Sequence, residues 1–187
     1  MTGVQTCALP ICRRFGSDKS LYRLRGKPLI EHVIETIRPL AATTAIIADD
    51  SRRFEYLGLP CHRDIITGLG PIGGLYTALT LVGTGHALIL GCDTPYLNRE
   101  LLSYMIGIRS LGDIIIPFYR DMYEPLQALY STACLPSIEK TIKEGRRQVI
   151  SFFSGVTLRA VAEPEIRQFA DPAMVFKNIN YLSDAAE

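Results

Sequence analysis

The chain has 187 residues, 48 % hydrophobic and 21 % charged, and 20 Lys and Arg against 19 Asp and Glu leave a net charge of +1. That length and balance suit one domain with a sizeable core, and exclude both a disordered chain and a basic, sequence-independent grip on nucleic acid. No apolar run approaches the ~18 residues of a membrane span.

Five cysteines (Cys7, Cys12, Cys61, Cys92 and Cys134) are odd in number and never spaced C-x-x-C. They argue against a disulfide framework or a zinc cluster and for reduced thiols in a cytoplasmic protein.

Residues 1–11 lack a basic n-region, and Pro10 interrupts their short apolar stretch, so they read as neither a signal peptide nor a good strand. Read as codons, they match a common sequencing-adapter oligonucleotide translated from a GTG start. On that reading residues 1–11 are non-native, Cys12 is a chimeric codon and authentic sequence begins at Arg13, giving one domain over 13–187.

Beyond it, Leu29, Ile30, Val33, Ile34, Ile37 and Leu40 recur at helical spacing and predict an amphipathic helix over 28–40. A short buried strand over 44–48 ends at Asp49-Asp50-Ser51, a cap cluster for a helix through Leu57. A weaker strand over 59–63 ends at Asp64, and a glycine-rich turn over 67–74 leads into a helix through Val82. Residues 86–92 form a continuous apolar run, as expected of a strand covered on both faces, and end at Asp93. Asn98 caps the next helix, which carries Leu101, Leu102, Met105 and Ile106. Strands follow over 113–117 and 126–130, then helices over 131–144 and 148–153, then a strand over 156–161. The alternation predicts an α/β sandwich with a mostly parallel sheet.

Ligands of open α/β sheets lie beyond the carboxyl ends of the strands, and three successive strands here end in Asp49, Asp64 and Asp93. Any one of these aspartates alone reads sooner as a helix cap than as a ligand. Asp93 is more pointed. It follows the most apolar strand, in Leu88-Ile-Leu-Gly-Cys-Asp-Thr-Pro-Tyr, where an ionised carboxylate is costly without a counter-charge. A Mg²⁺ ion supplies such a charge through one or two carboxylates, with waters and substrate phosphates completing its shell. Arg13-Arg-Phe-Gly-Ser-Asp-Lys19 is small, polar and basic; it reads as a solvated loop or as a holder of phosphates.

Arg13-Arg-Phe-Gly-Ser-Asp-Lys19, with Leu24-Arg-Gly-Lys-Pro-Leu29, resembles the signature of sugar-nucleotide-type nucleotidyltransferases. Adding Gly70-Pro-Ile-Gly-Gly74, Cys92-Asp-Thr-Pro-Tyr96, Glu124-Pro-Leu-Gln-Ala-Leu-Tyr130 and Asn178-Ile-Asn180, the chain is similar to the molybdenum cofactor guanylyltransferase family. The resemblance implies a three-layer, Rossmann-like nucleotidyltransferase sandwich with one antiparallel strand. It implies GMP transfer from GTP to molybdopterin with Mg²⁺, and handover of the cofactor to molybdoenzymes or their chaperones. By motif, Lys19 contacts the GTP phosphates and Asp93 binds Mg²⁺ and nucleotide. Asp49 and Asp64 stand where the family contacts the nucleotide, although Asn is commoner at the first position. Residues 124–130 lie on the molybdopterin side without an assigned role. The family's Leu-Ala-Gly-Gly loop is absent, and Pro10, which has no N–H, stands about where its second Gly belongs, so the chain as written is expected to be impaired.

Other readings remain: a cytidylyltransferase on the same scaffold, or a nucleotide-binding module without turnover. Gly68-Leu-Gly-Pro-Ile-Gly73 satisfies a dinucleotide fingerprint, but Pro71 removes a backbone donor and the preceding strand is short and polar. His62-Arg-Asp64 imitates a kinase loop without its companions. His32 and His86 have no metal-like spacing, Cys92 reads as buried packing, and Arg146-Arg147 either grips a pterin phosphate or opens a solvated helix.

Overall fold

The computed structural model describes the backbone of residues 4–9 and all of residues 19–179. Residues 10–18, with Cys12, Arg13 and Arg14, and the chain from Asn180 onward lie outside the described residues.

In chain order, β1 (Val4–Leu9) is followed by a small hairpin of β2 (Arg23–Leu24) and β3 (Lys27–Pro28), and then by α1 (Leu29–Ile37). Next come β4 (Thr43–Ile47), β5 (Cys61–His62), α2 (Pro71–Val82), β6 (His86–Gly91) and α3 (Arg99–Gly107). The chain continues through β7 (Ile114–Tyr119), β8 (Met122–Tyr123), β9 (Gln127–Ser131) and α4 (Leu135–Lys143). It ends with β10 (Leu158–Ala162), α5 (Glu163–Ile166) and α6 (Pro172–Val175).

The main sheet has the order β10-β7-β9-β6-β1-β4-β5, with β8 added beside β7. It is mixed. β5, β4, β1, β6, β7 and β10 run one way, whereas β9 lies antiparallel between β6 and β7 and β8 folds back on β7. The expectation of one antiparallel strand is thus corrected to two. The second is the two-residue arm of a tight turn in which Arg120 and Asp121 both take positive φ, a conformation with no glycine to advertise it.

The structure also corrects the reading of the opening segment. Val4–Leu9 is a central strand, paired in parallel with β4 and β6 from Val4↔His86 to Leu9↔Gly91. Neighbours on both sides supply ladder bonds whatever the intrinsic propensity.

β6 alternates as a strand buried on both faces must. Ala87 and Ile89 join a core with Ile72, Leu75 and Leu79 of α2 and Ile138 of α4. Leu88 and Leu90 join the opposite core with Val33 and Ile37 of α1 and Leu101, Leu102 and Met105 of α3. Asn98 accepts from the Leu101 N–H at 2.7 Å, the expected cap of α3.

Some elements are smaller than their sequence signals. The strand at 59–63 shrinks to Cys61–His62, and the helix capped by Asp50 is a 3₁₀ turn, Ser51–Leu57, closed by Gly58 at φ +63°. Arg146 and Arg147 precede another 3₁₀ turn, Val149–Gly155, rather than opening a helix. The β2–β3 hairpin, β8, α5 and α6 carried no periodic signal long enough to read. Among the described residues, no helix is long and apolar enough to cross a membrane.

One buried hydroxyl ties the short β5 region to its helix. Thr77 donates to the Gly73 carbonyl at 2.9 Å and accepts from the Ile65 N–H at 2.9 Å, which fixes the backbone directly after Asp64. Thr77→Val keeps the shape but leaves that N–H without its acceptor, so urea unfolding should show a loss of about 1–3 kcal/mol.

Candidate active site

Parallel β4, β5 and β6, separated in the sheet only by β1, deliver Asp49, Asp64 and Asp93 to the same carboxyl edge. Asp49 is exposed just beyond β4, beside the capping Asp50. Asp64 is half-buried, with Oδ2 3.6 Å from the point that a Cβ on Gly73 would occupy, so it sits against the first turn of α2. A side chain at Gly73 would also press Leu69 Cβ at 3.0 Å and the Ile66 carbonyl at 3.2 Å. The glycine lets α2 begin close under Asp64.

Asp93 is half-buried two residues past the end of β6, and its carboxylate folds back over Gly91. Oδ1 lies 2.6 Å from where a Gly91 Cβ would stand, closer than real Cβ contacts allow. A side chain at that strand position would therefore displace the Asp93 carboxylate from this seat. The Asp93 carbonyl accepts from the Ile179 N–H at 2.8 Å, which brings the Asn178-Ile179 segment to the site. Burial pushes the Asp93 carboxyl above its ordinary range, and a backbone hydrogen bond together with the nearby Lys19 ammonium pulls it partly back.

Lys19 opens a 3₁₀ turn, Lys19–Leu21, anchored by fully buried Ser20 and by a bond from the Tyr22 N–H to the Lys19 carbonyl at 2.9 Å. The Leu29 N–H reaches the Tyr22 carbonyl at 2.8 Å, so the start of α1 holds this turn in place. Lys19 and Asp93 therefore share one locale, with a cation and a buried carboxylate in electrostatic reach of each other.

Sequence reasoning gave Glu124 no role, yet the structure brings it to Asp93. The Glu124 carboxyl is pushed up to about 7, first by burial and then by the Asp93 charge. Two further polar side chains near this strand end are buried. Among the described residues, Thr94 Oγ1 and both amide atoms of Gln127 lack a hydrogen-bond partner. Gln127 stands directly opposite Leu90. Sequence hides Glu124 and Gln127 as neighbours of Asp93, because their position depends on the long-range pairing of β9 with β6.

The glycine-rich turn uses left-handed backbone at Gly68 and Gly70, and Arg147 Nη1 donates to the Gly68 carbonyl at 3.2 Å. Arg146 pairs with Glu144. His32 Nε2 lies 3.0 Å from the Leu24 carbonyl, a satisfied histidine. His86 begins β6, at the opposite end of that strand from Asp93, and Cys92 is buried. Among the described residues, no group of three or more His, Cys, Asp or Glu is placed to hold a metal. A carboxylate or two at a strand tip, beside a lysine, is instead the donor set of a cation that shares its shell with phosphates.

The chain is similar to proteins of one family. The model of the MobA-like NTP transferase domain matches residues 12–160. A probable molybdenum cofactor guanylyltransferase of Pelotomaculum thermopropionicum is 30 % identical over 172 residues, covering 92 % of this chain and 84 % of that protein. The molybdenum cofactor guanylyltransferase of Desulfosudis oleivorans is 31 % identical over 173 residues, covering 90 % and 84 %. The crystal structure of molybdopterin-guanine dinucleotide biosynthesis protein A from Archaeoglobus fulgidus matches with a TM-score of 0.82 and 27 % identity, over 97 % of this chain and 95 % of that one. With the match running from the basic opening through all three strand-end aspartates, the chain belongs to the MobA-like NTP transferase domain family.

Proposed function

We infer that this chain is a nucleotidyltransferase that moves GMP from GTP to the terminal phosphate of molybdopterin, releasing pyrophosphate and forming the guanine dinucleotide cofactor. Relatives named for that reaction support it along most of their length. The observation that carries the site assignment is the half-buried Asp93 carboxylate facing Lys19 at the carboxyl edge of β6. The fold reading behind it is a three-layer nucleotidyltransferase sandwich, supported by apolar cores on both faces of the sheet.

The residues fit a divalent cation, Mg²⁺ in this reading. Asp93 offers a hard oxygen donor whose burial calls for positive charge, and the Thr94 hydroxyl beside it is buried without a partner among the described residues. When bound, such an ion neutralises phosphate oxygens and polarises the bond to the leaving group. Lys19 binds the phosphates as a point charge and spreads the charge that builds on the departing pyrophosphate. Asp49 and Asp64 hold the nucleoside end, further along the same edge. The nucleophile is the acceptor's own phosphate oxygen, already anionic. It forms a bond to the α-phosphorus as the bond to the bridging oxygen of pyrophosphate breaks. No residue need remove a proton, so the protein's work is positioning and charge compensation. The product then passes to molybdoenzymes or their chaperones in the cytoplasm.

A binding screen tests nucleotide choice. With Mg²⁺, GTP should raise the melting temperature more than CTP, ATP or UTP, because only a ligand of the native state stabilises it. A dominant response to CTP points to a cytidylyltransferase. Binding of GTP without pyrophosphate release in the presence of molybdopterin points to a module without turnover.

Gly91→Ala tests the carboxylate's seat. Its methyl group meets Asp93 Oδ1, so the carboxylate must move, and turnover should fall about 10²-fold, as for a misplacement near 1 Å. Unchanged kinetics would place Asp93 outside the chemistry.

In the same reading the native domain spans residues 13–187, Val4–Leu9 fills the first-strand position, and the sequence that follows lacks the Gly-Gly pair with which the family cradles a nucleotide. Replacing residues 1–11 with a strand and a Leu-Ala-Gly-Gly turn should therefore raise GTP-dependent pyrophosphate release. Equal rates before and after would contradict this.

A further inference from the structure

We propose that Glu124 is the second carboxylate of the divalent-cation site, flanking the ion opposite Asp93 on the β9 side of the β6 tip. The proposal rests on the transferase reading above. Three backbone bonds place the 124–127 turn: one joins it to that tip, one closes the turn and one ties it to β7. The Gly91 N–H donates to the Leu126 carbonyl at 2.7 Å, the Gln127 N–H to the Glu124 carbonyl at 3.0 Å, and the Glu124 N–H to the Pro117 carbonyl at 3.0 Å. The point that a Gly91 Cβ would occupy is 2.6 Å from Asp93 Oδ1 and 3.6 Å from Leu126 Cβ, so carboxylate and turn border the same small space.

Glu124 is half-buried there, and the Asp93 charge acts on it directly. Among the described residues, no lysine or arginine pairs with Glu124, and the Lys19 ammonium acts on Asp93. Two half-buried carboxylates beside a polyphosphate site repel each other and the substrate unless more positive charge lies between them. A hard divalent cation held by one or two carboxylates and completed by phosphates meets that need. The buried, unpartnered Thr94 hydroxyl next to Asp93 adds an uncharged oxygen at the same strand end.

The test reads metal binding without turnover. Mn²⁺ is titrated into the full-length chain with saturating GTP and no acceptor, and free Mn²⁺ is followed by electron paramagnetic resonance. Glu124→Gln should weaken Mn²⁺ binding by about 10- to 100-fold, Glu124→Asp should retain more, and Asp93→Asn should lose it. The metal-free melting temperature of Glu124→Gln should equal or exceed the parent's, because a buried like charge has gone. Unchanged Mn²⁺ affinity in Glu124→Gln, with Asp93→Asn defective, overturns the assignment and leaves the transferase reading standing. The same holds if Glu124→Gln loses only acceptor binding. Failure to bind Mn²⁺ with GTP, both in the parent chain and in the chain whose residues 1–11 are replaced by a strand and a Leu-Ala-Gly-Gly turn, overturns both.

Discussion

A carboxylate at the tip of a strand buried on both faces is costly to ionise, and the site is organised around meeting that cost at Asp93. β6 is central, with one core against α2 and α4 and another against α1 and α3, so its end cannot drift toward solvent. Gly91 leaves room for the carboxylate to fold back, Ile179 holds its backbone from one side, and Lys19 faces it with positive charge. Each of these features is local, but together they come from distant parts of the chain.

This arrangement suits phosphate chemistry. A lysine and two carboxylates converge on one edge, a donor set for charge compensation and for placing a polyphosphate with its cation. The glycine-rich turn before α2 serves the same end. Gly73 allows Asp64 and the first turn of the helix to approach closely, and Thr77 locks the backbone that follows Asp64.

Much of the scaffold was legible because its signals are local. The unbroken apolar run of β6, the helical spacing in α1 and the Asn98 cap of α3 each state their structure within a few residues. The strand-end position of Asp93 followed from the same run. What escaped depends on distant partners or on special backbone. β1 is a strand because two neighbours pair with it, and β5 keeps only two residues of a longer expected strand. β8 rests on positive φ at Arg120 and Asp121, with no glycine at either position to mark the turn. Glu124 was invisible as a neighbour of Asp93 because its position follows from the antiparallel return of β9 alongside β6. Asp49 and Asp64 were correctly expected at the carboxyl edge, yet Asp93 takes its charged company from Lys19 and Glu124.

The most direct measurement is a crystal structure of the chain grown with GTP and Mn²⁺, read by the anomalous signal of the ion. The account predicts a manganese peak bonded to an Asp93 oxygen, with the triphosphate between it and the Lys19 ammonium. Manganese and triphosphate bound elsewhere, with Lys19 and Asp93 touching neither, would contradict it.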